Sequence, residues 1–463
     1  MLLNVFNLYR LDIPDEYDED GHPNADWRGH RWWYNLAQVC RWWRYLILAS
    51  PLQLDLHLLC TYGVPIANML AHSPPLPLTI LYHEGGRETT EEDDEGILLA
   101  LEHTDRVQYI HLDLPSPKLL KFITIMDEEF PILERMYIWS RTEGDRSLVL
   151  PRTFQAPHLR HIGLLRAALP IRSPLLTTTV GLVSLMLIEI PPSAYFPPNH
   201  LLTRLSLMPQ LETLLIEFYS PLPNRDVERQ SLNTPIMTHI TLPNFRLFRF
   251  KGVSAYLEGL LNRIRAPLLG ELEIVLFNQL TFTVPRLLQF MDALETLSFG
   301  RVQLSFGYDS AEFKTFQLGE RGGHSFRMEI KCRHLDWQVS SAIQILTALQ
   351  PVLSAVEQLT LSHVEHSQSP EWHNDIDPTQ WRDILRSFGN LKTLHVENPL
   401  AGRLSRSLQV DDGESPVELL PNLKELGYSG DDARDAFTPF IGERQVAGHP
   451  VNLTKVNPWD FRG

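Results

Sequence analysis

Leu211-Glu212-Thr213-Leu214-Leu215-Ile216 decides the architecture, because its spacing, apolar at positions one, four and six, recurs along most of the 463-residue chain. Copies or close variants open at Val107, Leu133, Leu159, Leu182, Leu211, Phe245, Leu269, Leu294, Val356, Leu391 and Leu423. Most openings lie 23 to 35 residues apart. The gap of 62 between Leu294 and Val356 halves into 31 and 31 if a worn copy opens at Ser325, with Met328 and Ile330 at the later apolar positions. Repetition at this period predicts one supersecondary unit used many times, each copy stabilised by the copies beside it.

Within a unit the alternation is that of a strand. Leu297 and Phe299 are expected to face the core, with Thr296, Ser298 and Gly300 on the other face. Return paths read as helices: Pro285 to Ala293 has a proline in its first turn and Leu287, Leu288 and Met291 at helical spacing. Ser340 to Ala355 and Thr379 to Phe388 repeat that pattern, and Pro351 ends or kinks the first of them. The expected class is α/β, in the form of an irregular leucine-rich-repeat solenoid. Nine positions into each copy, where regular repeats carry Asn or Cys, the chain has Pro115, Arg141, Ala167, Ile190, Tyr219, Val253, Phe277, Val302, Val364, Pro399 and Asp431. An uneven array is therefore expected. An ordinary α/β domain with similar strands is the alternative.

Charge and cysteine content narrow the function. Lys and Arg number 41 against 56 Asp and Glu, a net charge of −15, which disfavours binding to a phosphate backbone. Cys40, Cys60 and Cys332 have no zinc-like spacing and cannot all pair, so a reducing, intracellular setting in cytoplasm or nucleus is expected, with no cofactor. No stretch approaches the apolar length of a membrane span, so no membrane partner is expected.

The N-terminal part differs from the rest. Five of the ten tryptophans fall between Trp27 and Trp43, and Leu36 to Leu48 places Leu36, Val39, Trp43 and Leu46 or Ile47 on one helical face ended by Pro51. Trp42 falls off that face, and is either part of a wider core or an exposed contact. An acidic loop, Asp15 to Asp20, precedes this helix, and an amphipathic start, Leu2 to Leu8, precedes the loop. The division expected is a helical module at 1–80, an acidic linker at 81–105 and the repeat domain at 106–463. Glu91-Glu92-Asp93-Asp94-Glu95, between Gly85, Gly86 and Gly96, is expected to resist packing.

Val39-Cys40-Arg41-Trp42-Trp43-Arg44, followed by Ala49-Ser50-Pro51 and an apolar run, resembles the second half of an F-box. Leu2-Leu3-Asn4-Val5-Phe6 is similar to its opening helix, with the first turn and its Leu-Pro dipeptide truncated. Stretches around Phe277-Asn278-Gln279-Leu280-Thr281-Phe282, Leu335-Asp336-Trp337-Gln338 and Tyr428-Ser429-Gly430 extend the likeness over nearly the whole chain, to fungal F-box proteins with degenerate leucine-rich repeats. That resemblance implies a substrate receptor of a cullin-based ubiquitin ligase. Its adaptor subunit would dock on Leu2, Leu3, Val5, Phe6, Val39, Cys40, Trp43 and Arg44.

The protein target is expected on the strand positions that face away from the core. These include Tyr109, His111, Arg135, Tyr137, Trp139, Arg249, Lys251 and His395. Eleven or twelve strands about 4.8 Å apart give roughly 55 Å of contact surface. Tyr137 and Trp139 are either its anchor or packed under the preceding acidic loop. The most ligand-like set, Glu371, His373, Asp375 and Asp377, reads better as a solvated loop than as a metal site. His363 and His366 flank Glu365 without the zinc-protease spacing, and no phosphate-binding Gly-rich loop or nucleophile elbow is present. A non-catalytic subunit is expected.

Overall fold

The computed structural model describes residues 2–3, 5–6, 32–50, 54, 56–84, 89–142, 148–171, 173–221, 239–282, 284–294, 299–316, 324–363, 377–409, 417–430 and 433–456. It forms two compact α/β units, Met1–Ala194 and Tyr195–Gly463.

The first unit contains strands β1 (Leu58–Cys60), β2 (Leu78–His83), β3 (Val107–Leu114), β4 (Arg135–Ser140), β5 (Leu148–Val149), β6 (His161–Leu165), β7 (Ala167–Ala168) and β8 (Ser184–Ile190). β1-β2-β3-β4-β6-β8 are parallel neighbours in chain order, and β5 pairs with β7 beside them. Helices Ile66–His72, Glu91–Glu102, Ser116–Ile125 and Leu175–Thr178 fall between the strands. Ile110, Leu112 and Leu114 of β3 meet the apolar side of the helical layer, where Leu119, Phe122 and Ile123 are also fully buried.

The second unit contains β9 (Thr213–Phe218), β10 (Ile240–Thr241), β11 (Leu247–Gly252), β12 (Ile264–Arg265), β13 (Glu271–Leu276), β14 (Arg301–Phe306), β15 (Ser310–Phe316), β16 (His324–Lys331), β17 (Gln358–His363), β18 (Thr393–Val396), β19 (Glu425–Tyr428) and β20 (Asn452–Lys455). Its large sheet runs β9-β11-β13-β16-β15-β14-β17-β18-β19-β20 and is mixed, because β15 is antiparallel to both β14 and β16. Copies stacked in chain order were expected throughout. The excursion β14-β15-β16 corrects that: the worn copy at Ser325 is a strand, but it pairs with β13, and β14 pairs onward with β17. A tight turn explains the reversal, since Gly307 N donates to Ser310 O at 2.7 Å and returns the chain without a helix. Of the strand expected around Leu297 and Phe299, residues 295–298 lie outside the described set, and Phe299 and Gly300 precede β14, which begins at Arg301.

The register of the copies is fixed by one recurring backbone contact. In six copies the carbonyl immediately after the opening residue accepts two N–H groups from the next copy. Glu134 O takes Arg160 N and His161 N at 2.8 and 3.0 Å, and Glu212 O takes Arg246 N and Leu247 N at 2.8 and 3.1 Å. Lys392 O does the same for Lys424 N and Glu425 N at 2.8 and 3.1 Å. A side-chain ladder lies one residue before the openings. Asn244 Nδ2 donates to Gln210 Oε1 at 3.2 Å, Asn390 Nδ2 to Ser354 O at 2.7 Å, and Asn422 Nδ2 to Asn390 Oδ1 at 3.3 Å. These amides tie turn to turn at a place different from the ninth position.

Two further expectations are corrected. The acidic run is no linker: Glu91–Glu102 is a helix whose N-cap, Thr90, accepts from Asp93 N at 3.1 Å, while Asp93 Oδ2 accepts from Thr90 N at 2.9 Å. Four carboxylates in the first turn complement the helix dipole, and Ile97, Ala100 and Leu101 are buried. Gly85 and Gly86 lie outside the described residues. Nor is residue 80 a boundary, because β2 runs through it and pairs with β3.

Candidate protein-interaction site

The expected helix Leu36–Leu48 is broken into Trp32–Val39 and Arg41–Leu48 by Cys40, whose backbone is extended at φ −159° and ψ 168°. Cys40 Sγ accepts from Trp43 N at 3.4 Å and so caps the second helix. Arg44 Nε donates to Ala37 O at 3.0 Å, binding the two helices together. Phe6, fully buried, meets the Trp43 ring edge-on at 5.0 Å. Thus Phe6, Cys40, Trp43 and Arg44, expected as adaptor contacts, are engaged within the helical pair. Leu2 and Leu3 are half-buried, and Val5 is exposed. The open surface is made by Val39, Trp42 and Tyr45, which are 60%, 58% and 65% exposed. Trp42 and Tyr45 stack with centroids 6.1 Å apart and planes at 22°. Tyr45 went unrecognised as part of this surface, although it stands three residues after Trp42, one helical turn along.

In the first unit the register brings Tyr109 beside Arg135, His111 beside Tyr137, and Asp113 beside Trp139. The His111 ring lies 4.8 Å from Trp139 and 5.8 Å from Tyr137. Tyr137 lies over Gly163 of β6, where a Cβ would stand 2.6 Å from its ring. Only glycine there admits the ring against the sheet. Tyr109 and His111 are buried, Tyr109 in a cluster with Leu59 and Leu81, while Tyr137 and Trp139 are half-buried and Arg135 is exposed. At the carboxyl ends of the same strands, Arg141 grips Asp113 through two hydrogen bonds, 2.7 and 2.5 Å, and donates to Glu84 O at 2.6 Å. Its hydrogen bonds to Asp113 raise the guanidinium pKa above its ordinary value. Arg166 pairs with Glu189 and donates to Arg141 O at 3.4 Å. Both Arg166 and Glu189 are left-handed, with φ 55° and 52°, a conformation costly outside glycine that their pairing helps to hold.

In the second unit, Arg249 is paired with the buried Glu273 rather than held out as a lone contact. Glu273 stands beside Arg327 in register. Arg327 reaches Glu312 at 2.5 Å and Glu329 at 3.4 Å, and Lys331 reaches Glu329 at 2.7 Å. Burial opposes the charge on Glu329, but Lys331 and Arg327 outweigh it, so its carboxyl pKa is lowered. Lys251 lies in register between Glu217 and Val275. His395 rests on Gly427, whose Cβ would stand 2.5 Å from the ring, and burial lowers its pKa.

Of the ligand-like loop, Glu371, His373 and Asp375 lie outside the described residues, as do Glu365 and His366. Asp377 caps the helix Pro378–Arg386, accepting from Thr379 N at 3.0 Å. Burial pushes the Cys60 thiol up to about 12 and the Cys332 thiol up to about 11, so neither is a thiolate near neutrality. Among the described residues no group of three or more His, Cys, Asp or Glu is placed to hold a metal, and no helix is long and apolar enough to cross a membrane. No protein-family profile and no curated protein matches the chain.

Proposed function

We propose that this chain is the substrate-recognition subunit of a cullin-based, SCF-type ubiquitin ligase, acting in cytoplasm or nucleus. In this reading the helical pair 32–48 with residues 2–6 is an F-box-like module, and the strand-and-helix units form an irregular leucine-rich-repeat solenoid. The adaptor subunit docks on the module, a protein target docks on the open strand faces, and the chain itself performs no chemistry. The observation that carries the reading is the open Val39, Trp42 and Tyr45 surface on a helix whose opposite face, Trp43 and Ile47, is turned inward. Exposed aromatic groups of this kind supply most of the energy of protein interfaces.

A second reading, an interaction protein without adaptor binding, is favoured by one observation: Phe6, Cys40, Trp43 and Arg44 are used inside the helical pair. Co-expression of the full chain with the adaptor separates the two. A stoichiometric complex on size exclusion is the expected result, and recovery of the chain with other proteins but without the adaptor would establish the second reading.

A further inference from the structure

We infer that the helix Arg41–Leu48 presents a cationic aromatic face built to seat a protein surface that is acidic around an apolar socket; this rests on the adaptor-binding reading and specifies the surface required. Residues advance about 100° each around a helix, so Arg41, Trp42 and Tyr45 share one face and Trp43 and Ile47 take the other. Ile47 is fully buried, whereas Trp42 and Tyr45 stack on each other in the open, with Val39 exposed just before the helix. Two stacked rings form a rigid apolar projection that loses little conformational entropy when covered.

Charge identifies what covers it. In a chain of net charge −15, residues 32–50 carry Arg41 and Arg44 and no carboxylate. Arg44 is directed to the Ala37 carbonyl. Arg41 is exposed and makes no hydrogen bond or ion pair among the described residues. The charge that residues 32–50 set beside the aromatic projection is therefore positive, and the surface complementary to it is negative. Rim charges act chiefly on association rate and salt dependence, and buried aromatics on residence time. That division gives each residue a separable signature.

The test uses the full chain and the purified adaptor, titrated at about 50 and about 300 mM salt, between which the Debye length shortens about 2.4-fold. Vesicles of phosphatidylcholine with phosphatidylserine are the second probe. Arg41→Glu should weaken adaptor binding about tenfold at low salt and much less at high salt, while Arg41→Lys retains binding. Tyr45→Ala should weaken it about thirtyfold at both, as expected of an aromatic anchor. Each side chain is exposed, so hydrogen exchange of 41–48 should stay unchanged in Arg41→Glu, which guards against misfolding. Adaptor binding insensitive to salt and to Arg41→Glu would overturn the inference and leave the adaptor reading standing. Capture by anionic vesicles without adaptor binding, or binding to neither probe, would overturn both.

Discussion

Replacing Leu394 and His395, adjacent residues of β18, tests the strand register that organises each repeat. Leu394 is fully buried and stands between Leu359 and Leu426 in the parallel register, both of them buried as well. Leu394→Ala removes three carbons, about 0.8 kcal/mol each in transfer free energy. The cavity left between two flanking strands adds to this, for a total of about 3 to 5 kcal/mol. His395 points to the other face and is half-buried on Gly427, so His395→Ala should cost within about 1 kcal/mol. Hydrogen exchange of peptides covering 391–397 and 423–428, compared with wild type under mild denaturant, reports the local change without assuming that both units unfold together. Leu394→Ala should deprotect both strands, and His395→Ala should leave them protected. Equal losses, or a larger loss for His395→Ala, would refute the register.

Other consequences follow from single side chains. His83 and His395 have pKa values lowered by burial, so the unfolded chain takes up protons more readily; the stability present at neutral pH should be lost as pH falls below the ordinary value near 6.5, and His395→Gln should flatten that dependence in denaturant midpoints measured from pH 7.5 to 5.5. Thr90→Ala removes the hydroxyl that accepts from Asp93 N, while the backbone N–H of residue 90 can still donate to Asp93; it should cost about 1 kcal/mol, seen as faster exchange in 91–96, whereas the wild type should resist proteolysis there. The Tyr256 hydroxyl is buried with no hydrogen-bond partner among the described residues, so Tyr256→Phe should be neutral or stabilise by up to about 1 kcal/mol in thermal unfolding. Arg444, buried, donates to Leu420 O at 2.9 Å and Leu423 O at 3.3 Å; Arg444→Met should take the side-chain donor from both carbonyls, leaving Leu420 O only Leu423 N, and cost about 1 to 3 kcal/mol, and a change below about 0.5 kcal/mol (a surface-like value) in the same assay would refute that role.

What the sequence disclosed, and what it hid, has a physical pattern. Apolar residues at positions four and six mark strands because side-chain alternation is a property of one strand alone, and Leu214 with Ile216 or Leu394 with Val396 were legible for that reason. Pairing direction is not contained in that alternation. The β14-β15-β16 excursion was therefore hidden, apart from the turn residues Gly307, Tyr308 and Asp309. The acidic helix was masked by charge, although Thr90 with Asp93 three residues on, then Ile97 and Leu101, carried the signal of a cap and an apolar stripe. The break at Cys40 left no propensity signal, since the cap is a thiol. The amide ladder was sought nine positions into each copy, while Gln210, Asn244, Asn390 and Asn422 stand immediately before the openings. Arg249 was read as a free contact because a sequence shows one strand at a time, and its partner Glu273 lies on the next.

Reconstitution of the full chain with the adaptor and cullin subunits, followed by identification of proteins retained on the assembly and assay of ubiquitin transfer to them, tests the ligase function. A stable assembly through the N-terminal module and ubiquitin transferred to a retained protein are expected, both lost together in Trp42→Ala/Tyr45→Ala, with the retained protein still binding the mutant chain. Failure of the full chain to enter the assembly, while it still retains a protein partner, would contradict the ligase function.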